Sequence, residues 1–367
     1  MATTTLKCPN CGGGLKFDPE QQKSVCEYCL SSFTSAELAA ATQAAEAKAE
    51  KAAKAAATAA ATAAAAAGTE TTTPGTDGHL AGYVCDSCGA EVVTEATTAA
   101  TFCYYCHNPV LITSRLTGEF QPHKIIPFQY DRDKAIATFR QWAKSHRFVP
   151  HSFYSASQLE KMTGLYLPYW MADYDAQVDY QAQAVVRRVW VSGNTEFTEH
   201  KDFAIERKGT IEVDNIHELA HGKIDRTLIE AIAPFDEAQA TNFNLTYLSG
   251  FLAEKFDIER DKVEPMLESR ARDYASSLLR ESISGYSEVH EQKNEVDLAL
   301  KNWFYALFPA WVMTYRYHGK TYIYAINGQT GKAYGELPVS NQRLSVASAI
   351  LAAIILVLAI LGGLWLW

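Results

Sequence analysis

Eight cysteines, every one of them in a C-x-x-C pair, constrain this chain more than any other feature. The first set is Cys8, Cys11, Cys26 and Cys29; the second is Cys85, Cys88, Cys103 and Cys106. Fourteen residues separate Cys11 from Cys26, and fourteen separate Cys88 from Cys103. A glycine, Gly12 or Gly89, follows each leading pair, so the pattern is an internal repeat. Two residues between thiolates let one tight turn present both sulfurs to a single ion, and glycine after the second cysteine permits the backbone that turn needs. Two such turns complete a tetrahedral four-thiolate site. Both sets therefore read as zinc ribbons (or sites filled adventitiously by iron), closed and structural because no coordination position is open to a substrate. Met1 to Lys7 has no apolar run of the kind a signal peptide carries, so a reducing compartment is expected, where paired thiols bind metal rather than form disulfides.

Cys103-Tyr104-Tyr105-Cys106-His107 also matches the C-x-x-C-H pattern of covalent haem attachment. That reading strands Cys85 and Cys88, breaks the repeat and requires export. Absence of a Soret band would remove it.

Zinc ribbons invite a nucleic-acid reading, and charge argues against it. The chain carries a net −9. Residues 1–35 set Lys7, Lys16 and Lys23 against Asp18, Glu20 and Glu27, and residues 80–116 set Arg115 against Asp86, Glu91 and Glu95. Neither ribbon has the basic patch that phosphate binding requires.

Residues 36–67 contain 21 alanines in 32 positions, a helix-favouring composition without a wide stripe of large apolar residues. A semi-rigid helical spacer is expected there, broken by a flexible joint at Thr69–Gly78. Near the other end, Leu344 to Trp367 is uncharged over 24 residues. That length crosses a hydrocarbon core of ~30 Å. Trp365 and Trp367 stand where interfacial anchors belong, and Arg343 flanks the other side, so the expected arrangement is a single-pass tail anchor with the preceding domains cytoplasmic.

Two motifs between these landmarks look catalytic. His217-Glu218-Leu219-Ala220-His221 matches H-E-x-x-H, the zinc-peptidase pattern. Its surroundings are poor: Gly222 follows at once, the preceding residues alternate like a strand, and no third ligand stands in a second motif. Gly319-Lys320-Thr321 resembles the end of a P-loop, but Thr314 stands where the leading glycine should be, and the flanking tyrosine alternation predicts a hairpin turn. No catalytic residue, organic cofactor or small-molecule substrate is expected.

Within 117–340, Ala135, Ile136, Phe139 and Trp142 predict a helix near Asp133–Ser145. Residues 169–213 alternate and predict several antiparallel strands. Residues 235–284 return to helical periodicity, with Tyr247, Leu248, Phe251 and Leu252 on one face. Residues 310–337 predict a meander with turns at His318-Gly319 and Gly328–Gly331. Pro168-Tyr169-Trp170-x-x-x-Tyr174 is echoed by Pro309-Ala310-Trp311-x-x-x-Tyr315, suggesting two related halves whose aromatics form core.

With the ribbons, Gly164–Trp170, Tyr247-Leu248-Ser249-Gly250-Phe251 and the run Tyr322–Lys332 in view, the chain resembles the bacterial TFIIB-type zinc-ribbon membrane proteins, a YdjG-like group. The resemblance covers most of residues 80–367. It implies a non-enzymatic membrane partner of PspA-like and SPFH (flotillin-like) proteins in envelope stress and membrane organisation.

The expected fold class is α+β. Its parts are zinc ribbon 1 (1–35), the alanine-rich helical linker and joint (36–79), zinc ribbon 2 (80–116), an antiparallel-sheet α+β domain read as two related halves (117–340) and a transmembrane helix (341–367). The expected function is a scaffold that recruits protein partners to the inner membrane. The alternatives are a membrane-tethered nucleic-acid-binding protein and, third, a zinc peptidase using His217 and His221.

Overall fold

The structure is a computed structural model that describes residues 3–41 and 80–365. The alanine-rich spacer and its joint therefore lie outside the described residues, apart from a first helix, α1, described over 35–41.

The fold is α+β, built on three antiparallel strands. β10 (Thr163–Ser192) turns into β11 (Thr195–Leu219), and β14 (Glu288–Tyr317) lies on the other side of β10. β10 and β14 have 30 residues each, about 100 Å at ~3.3 Å per residue. Where 169–213 predicted several strands, two continuous ones form. The prediction missed this because burial changes along β10. Residues 166–174 are buried on both faces, 176, 178, 180, 182 and 184 are buried on one, and 187–192 are exposed. One strand thus carries three different hydrophobic patterns.

Short strands extend this frame. β13 (Leu252–Glu254) lies parallel to β10, with Leu165 opposite Leu252. β9 (Lys124–Ile125) lies parallel to β14, with Ala306, 141 residues after Leu165, opposite Lys124. β15 (Lys320–Asn327) pairs with β14 from Ala310, as β11 pairs with β10 from Tyr169. A helix follows each short strand: α2 (Arg132–Ser145) after β9 and α5 (Arg260–Glu281) after β13. Two units of short strand, helix and long hairpin are thus interleaved about a local two-fold, each lending its short strand to the other's long one.

The tryptophans of the sequence echo lock this exchange. Trp170 Nε1 donates to Ile258 O, and Trp311 Nε1 donates to Tyr130 O, both at 2.8 Å. Each indole thus fastens the loop that precedes the other unit's helix, satisfying the N–H that a buried tryptophan carries. Trp170→Phe and Trp311→Phe are each expected to lower stability by about 1–3 kcal/mol, from a lost hydrogen bond and a partly emptied site. Urea midpoints of the solubilised protein check this, and one variant behaving as wild type would break the equivalence.

The stretch 235–284 departs from its predicted helix. α5 is real, but Leu245–Leu248 is a short turn of helix and Leu252–Glu254 is a strand. Gly250, at φ 95°, reverses the chain between them, a conformation open to glycine. The apolar residues there are core, but they face several partners rather than one. Phe251 stacks on Phe128 at 4.2 Å and 8°.

Beyond Tyr174 the three long strands leave the body of the domain as an arm. Along α5, Val263, Leu267, Ala271 and Ala275 share the main core with Tyr174 and Ala176, and Leu279 joins a second cluster with Val178, Tyr180, Ala182 and Ala184 on the arm. Past Ser287, whose N–H donates to Val185 O, the β10–β11 hairpin continues alone. Trp190 and Phe197 stack at 5.5 Å and 12° near its tip, and Val189 and Val191 beside them are exposed.

At the other end of β14, α6 (Asn341–Trp365) leaves the domain. Asn341–Ile360 has mean hydropathy 2.5 and none of it is buried, so it is long and apolar enough to cross a membrane. The side chains of Trp365 and Trp367, expected as anchors, fall outside the described set.

Candidate metal centres

Both cysteine sets converge as their spacing requires. In each, the four sulfurs lie within 4.8 Å of one another. Cys8 and Cys29 stand 3.6 Å apart, Cys11 and Cys26 3.4 Å, Cys85 and Cys106 3.8 Å, and Cys88 and Cys103 3.7 Å. Four sulfurs at ~2.3 Å from one ion would be separated by about 3.8 Å, so the cradles fit a tetrahedral metal, whereas a disulfide needs about 2.05 Å.

Each pair sits on a knuckle of the same design. Gly12 N donates to Cys8 O, Leu30 N to Cys26 O, Gly89 N to Cys85 O and His107 N to Cys103 O, at 2.8 to 2.9 Å. The donor residue has positive φ in all four: 76° at Gly12, 58° at Leu30, 74° at Gly89 and 57° at His107. The glycines were legible in the sequence, but Leu30 and His107 occupy the same left-handed position without that signal. His107 thus serves the knuckle backbone, and Cys103 and Cys106 belong with Cys85 and Cys88 rather than with haem.

Charge is uneven among the cradle sulfurs. The Ser31 side chain, then its backbone, hydrogen-bonds the Cys29 thiolate and draws its pKa down to about 6. Burial heads the causes that push the Cys106 thiol of the second cradle up to about 12. A cation would resolve this by stabilising all four thiolates together.

The two centres differ in how they join the fold. Ribbon 2 comprises β5 (Leu80–Val84), β6 (Glu91–Glu95), β7 (Thr98–Phe102) and β8 (Pro109–Ile112). β7 enters the main sheet, with Ala100 opposite Ala253 of β13. β1 (Thr3–Thr4), which leads into ribbon 1, adds to β8. Ribbon 1 itself has its own sheet of β2 (Leu15–Asp18), β3 (Lys23–Cys26) and β4 (Ser32–Phe33). It leans on the Tyr247–Gly250 segment: Phe17 N donates to Ser249 O at 2.8 Å, and the Phe17 and Tyr247 rings meet at 5.1 Å. Sequence reasoning missed this docking because nothing local marks which surface receives the ribbon.

The knuckles expose apolar side chains: Tyr28 at 76 %, Leu30 at 79 %, Tyr104 at 67 % and Tyr105 at 71 %. Cations are scarce around them. Arg115, the basic residue of 80–116, is 5 % exposed and donates to Thr98 O and Glu95 O. It fastens the β6–β7 turn and is not available to a phosphate.

Neither catalytic look-alike has the geometry its motif requires. His217 and Glu218 end strand β11, so their side chains face opposite sides instead of sharing a helix face. Glu218, 2 % exposed, lies 2.6 Å from Arg226 and 2.7 Å from Arg270. His217 pairs with Glu237 at 3.2 Å and His221 with Asp257 at 3.9 Å. Among the described residues, the metal-competent groups are the two cysteine sets. Gly319 closes the His318-Gly319 turn between β14 and β15, and Lys320 and Thr321 are the first residues of β15. Asn327, fully buried, donates to Ile232 O and Pro234 O and accepts from Gln329 N and Thr330 N, so the Asn327–Lys332 turn is a lock on the chain that follows α4 (Arg226–Ile232).

No family model matches this chain, and no solved structure matches it. It is similar to an uncharacterized protein, YdjG, of Bacillus subtilis (strain 168), 29 % identical over 258 residues, which are 69 % of this chain and 76 % of that protein.

Proposed function

We propose that this chain is a membrane-anchored cytoplasmic zinc-ribbon scaffold that recruits protein partners to the inner membrane. The observation that carries this reading is the exposure of Tyr28, Leu30, Tyr104 and Tyr105 on knuckles without a basic patch, the nearby Lys16 being paired with Glu27. Exposed aromatics without a basic patch suit a protein surface and not a phosphate backbone. Zinc is the ion that four thiolates in tetrahedral array favour, and it stabilises ribbons too small to hold a core of their own. α6 is the anchor, with the domains before it cytoplasmic.

The arm supports the same reading. Its Trp190–Phe197 tip lies toward the far end of β14 from α6, so a second apolar surface stands away from the base of the anchor. Likeness to the YdjG-like group suggests PspA-like and SPFH proteins as partners, in envelope stress or membrane organisation.

The test is affinity purification of the detergent-solubilised protein from its native membrane, with mass spectrometry of what accompanies it, against a Tyr104→Ser/Tyr105→Ser variant. Recovery of PspA-like or SPFH proteins by the native form and their loss from the variant is the expected result. Recovery of nuclease-sensitive nucleic acid instead would replace this reading with the tethered nucleic-acid one.

A further inference from the structure

The fold gathers basic residues around the root of α6 that are scattered in the sequence. Segment 140–151 carries Arg140, Lys144 and Arg147 and no acid; 315–322 carries Arg316 and Lys320; 336–343 carries Arg343 and Glu336. That is six basic residues against one acidic, in a chain of net charge −9. The segments meet in space. Ser340 N donates to Phe148 O at 2.8 Å, and Arg343 Nη1 donates to Val149 O at 2.6 Å. Ser152 Oγ and Tyr315 Oη stand 2.7 Å apart, and Lys320 bridges to Glu336 at 2.7 Å.

An open cleft of about 610 Å³ lies on one side of this collar, between its second and third segments, lined by Tyr317, Lys320, Tyr322, Tyr334, Glu336 and Asn341 among others. Its depth relative to a bilayer follows from α6. Asn341 precedes the first apolar residue, Leu344, by three positions, about 5 Å at ~1.5 Å per residue. The headgroup layer is about 5–8 Å thick on each side. With α6 in place, the mouth of the cleft lies among headgroups, where tyrosine rings are at home.

We infer that this collar is a binding surface for the anionic headgroups of the bilayer that α6 enters, holding the domain in a fixed pose on the membrane. The inference rests on the reading of α6 as a membrane span. Charge selects the occupant: the exposed cations at Arg140, Lys144, Arg147, Arg316 and Lys320 complement lipid phosphates, and Glu336 offsets one of them. The backbone bonds from Ser340 and Arg343 fix the helix root to the collar, so a lipid held by one is held by the other.

The experiment reconstitutes the full chain in nanodiscs of phosphatidylcholine alone and in discs that also contain phosphatidylglycerol. Amide hydrogen exchange is followed over 140–151, 315–322 and 336–343. Exchange there is expected to slow severalfold in the anionic discs only, and the difference to fade as salt shortens the Debye length below ~10 Å. A Lys144→Gln/Arg147→Gln/Lys320→Gln variant is expected to lose the difference while keeping its metal and the exchange pattern of α5. Equal exchange in both discs overturns the collar and leaves the span intact. Slowing by inorganic phosphate in neutral discs would assign a free-anion site instead and overturn the bilayer assignment. Failure of the chain to float with vesicles of either composition would overturn the span, and the collar with it.

Discussion

Cys103→Ser is expected to abolish cooperative unfolding of the whole domain, whereas Cys26→Ser removes one ribbon and leaves the domain standing. Structural zinc in small ribbons supplies about 10–16 kcal/mol, comparable to or larger than the ~5–15 kcal/mol that holds a typical domain folded. Where that energy acts decides the outcome. The strand that begins the second site's trailing pair, β7, hydrogen-bonds to β13, which in turn lies on β10. β8 carries β1, the lead into ribbon 1. Loss of the second metal therefore unseats one flank of the main sheet and loosens the first ribbon. The first site has its own three strands and rests on the domain's surface, through Phe17 against Tyr247 and Ser249, Gln22 donating to Phe128 O, and Glu20 paired with Lys134. Metal analysis and urea unfolding of the solubilised protein check this together. Native protein is expected to carry two zinc ions, Cys26→Ser one with the main transition retained, and Cys103→Ser at most one with no transition. A normal transition in Cys103→Ser would show that ribbon 2 does not support the sheet.

Glu218→Ala is expected to cost about 3 kcal/mol, while His217→Ala leaves the metal content at two. Removing one partner of a buried ion pair typically costs ~3–5 kcal/mol because a charge is left without compensation. Here the carboxylate is 2 % exposed, but Arg226 and Arg270 are 40 % and 44 % exposed. Water reaches the abandoned guanidiniums, so the lower end of the range applies. Glu218 ties α4 to α5 at the end of β11, and Arg270 also donates to His217 O at 2.8 Å. Denaturation midpoints measure the first effect, and metal analysis the second. A third equivalent of zinc in native protein that His217→Ala removes, together with a peptidase activity, would return the H-E-x-x-H motif to catalysis.

That motif shows how a local pattern and a fold part company. Five residues satisfy a helical zinc-site template, but the template needs both histidines on one helix face, and Tyr169 opposite Leu219 commits the segment to a strand. The Gly319-Lys320-Thr321 triplet was different, because tyrosine alternation on both sides already spoke for a hairpin. The Asn327–Lys332 turn was legible as a turn, but its purpose as a lock was not. Asn327 finds its acceptors at Ile232 and Pro234, some 95 residues away.

The sequence by itself determined the features whose physics is local. Two cysteines on one tight turn, repeated at a fixed gap, specify a four-thiolate cradle wherever the chain goes. Twenty-four uncharged residues, Leu344 to Trp367, specify a helix that can cross a bilayer. The periodicity of Ala135, Phe139 and Trp142 specifies α2. Tertiary structure decided what depends on partners distant in the chain. It decided that ribbon 2 is part of the main sheet, that Trp170 and Trp311 lock each other's units, and that Arg115 is buried. It also brought Arg147, Lys320 and Arg343 to the root of one helix. Strand pairing carries no local record of its partner: period-two alternation says which face is buried, and only the closed sheet says what covers it.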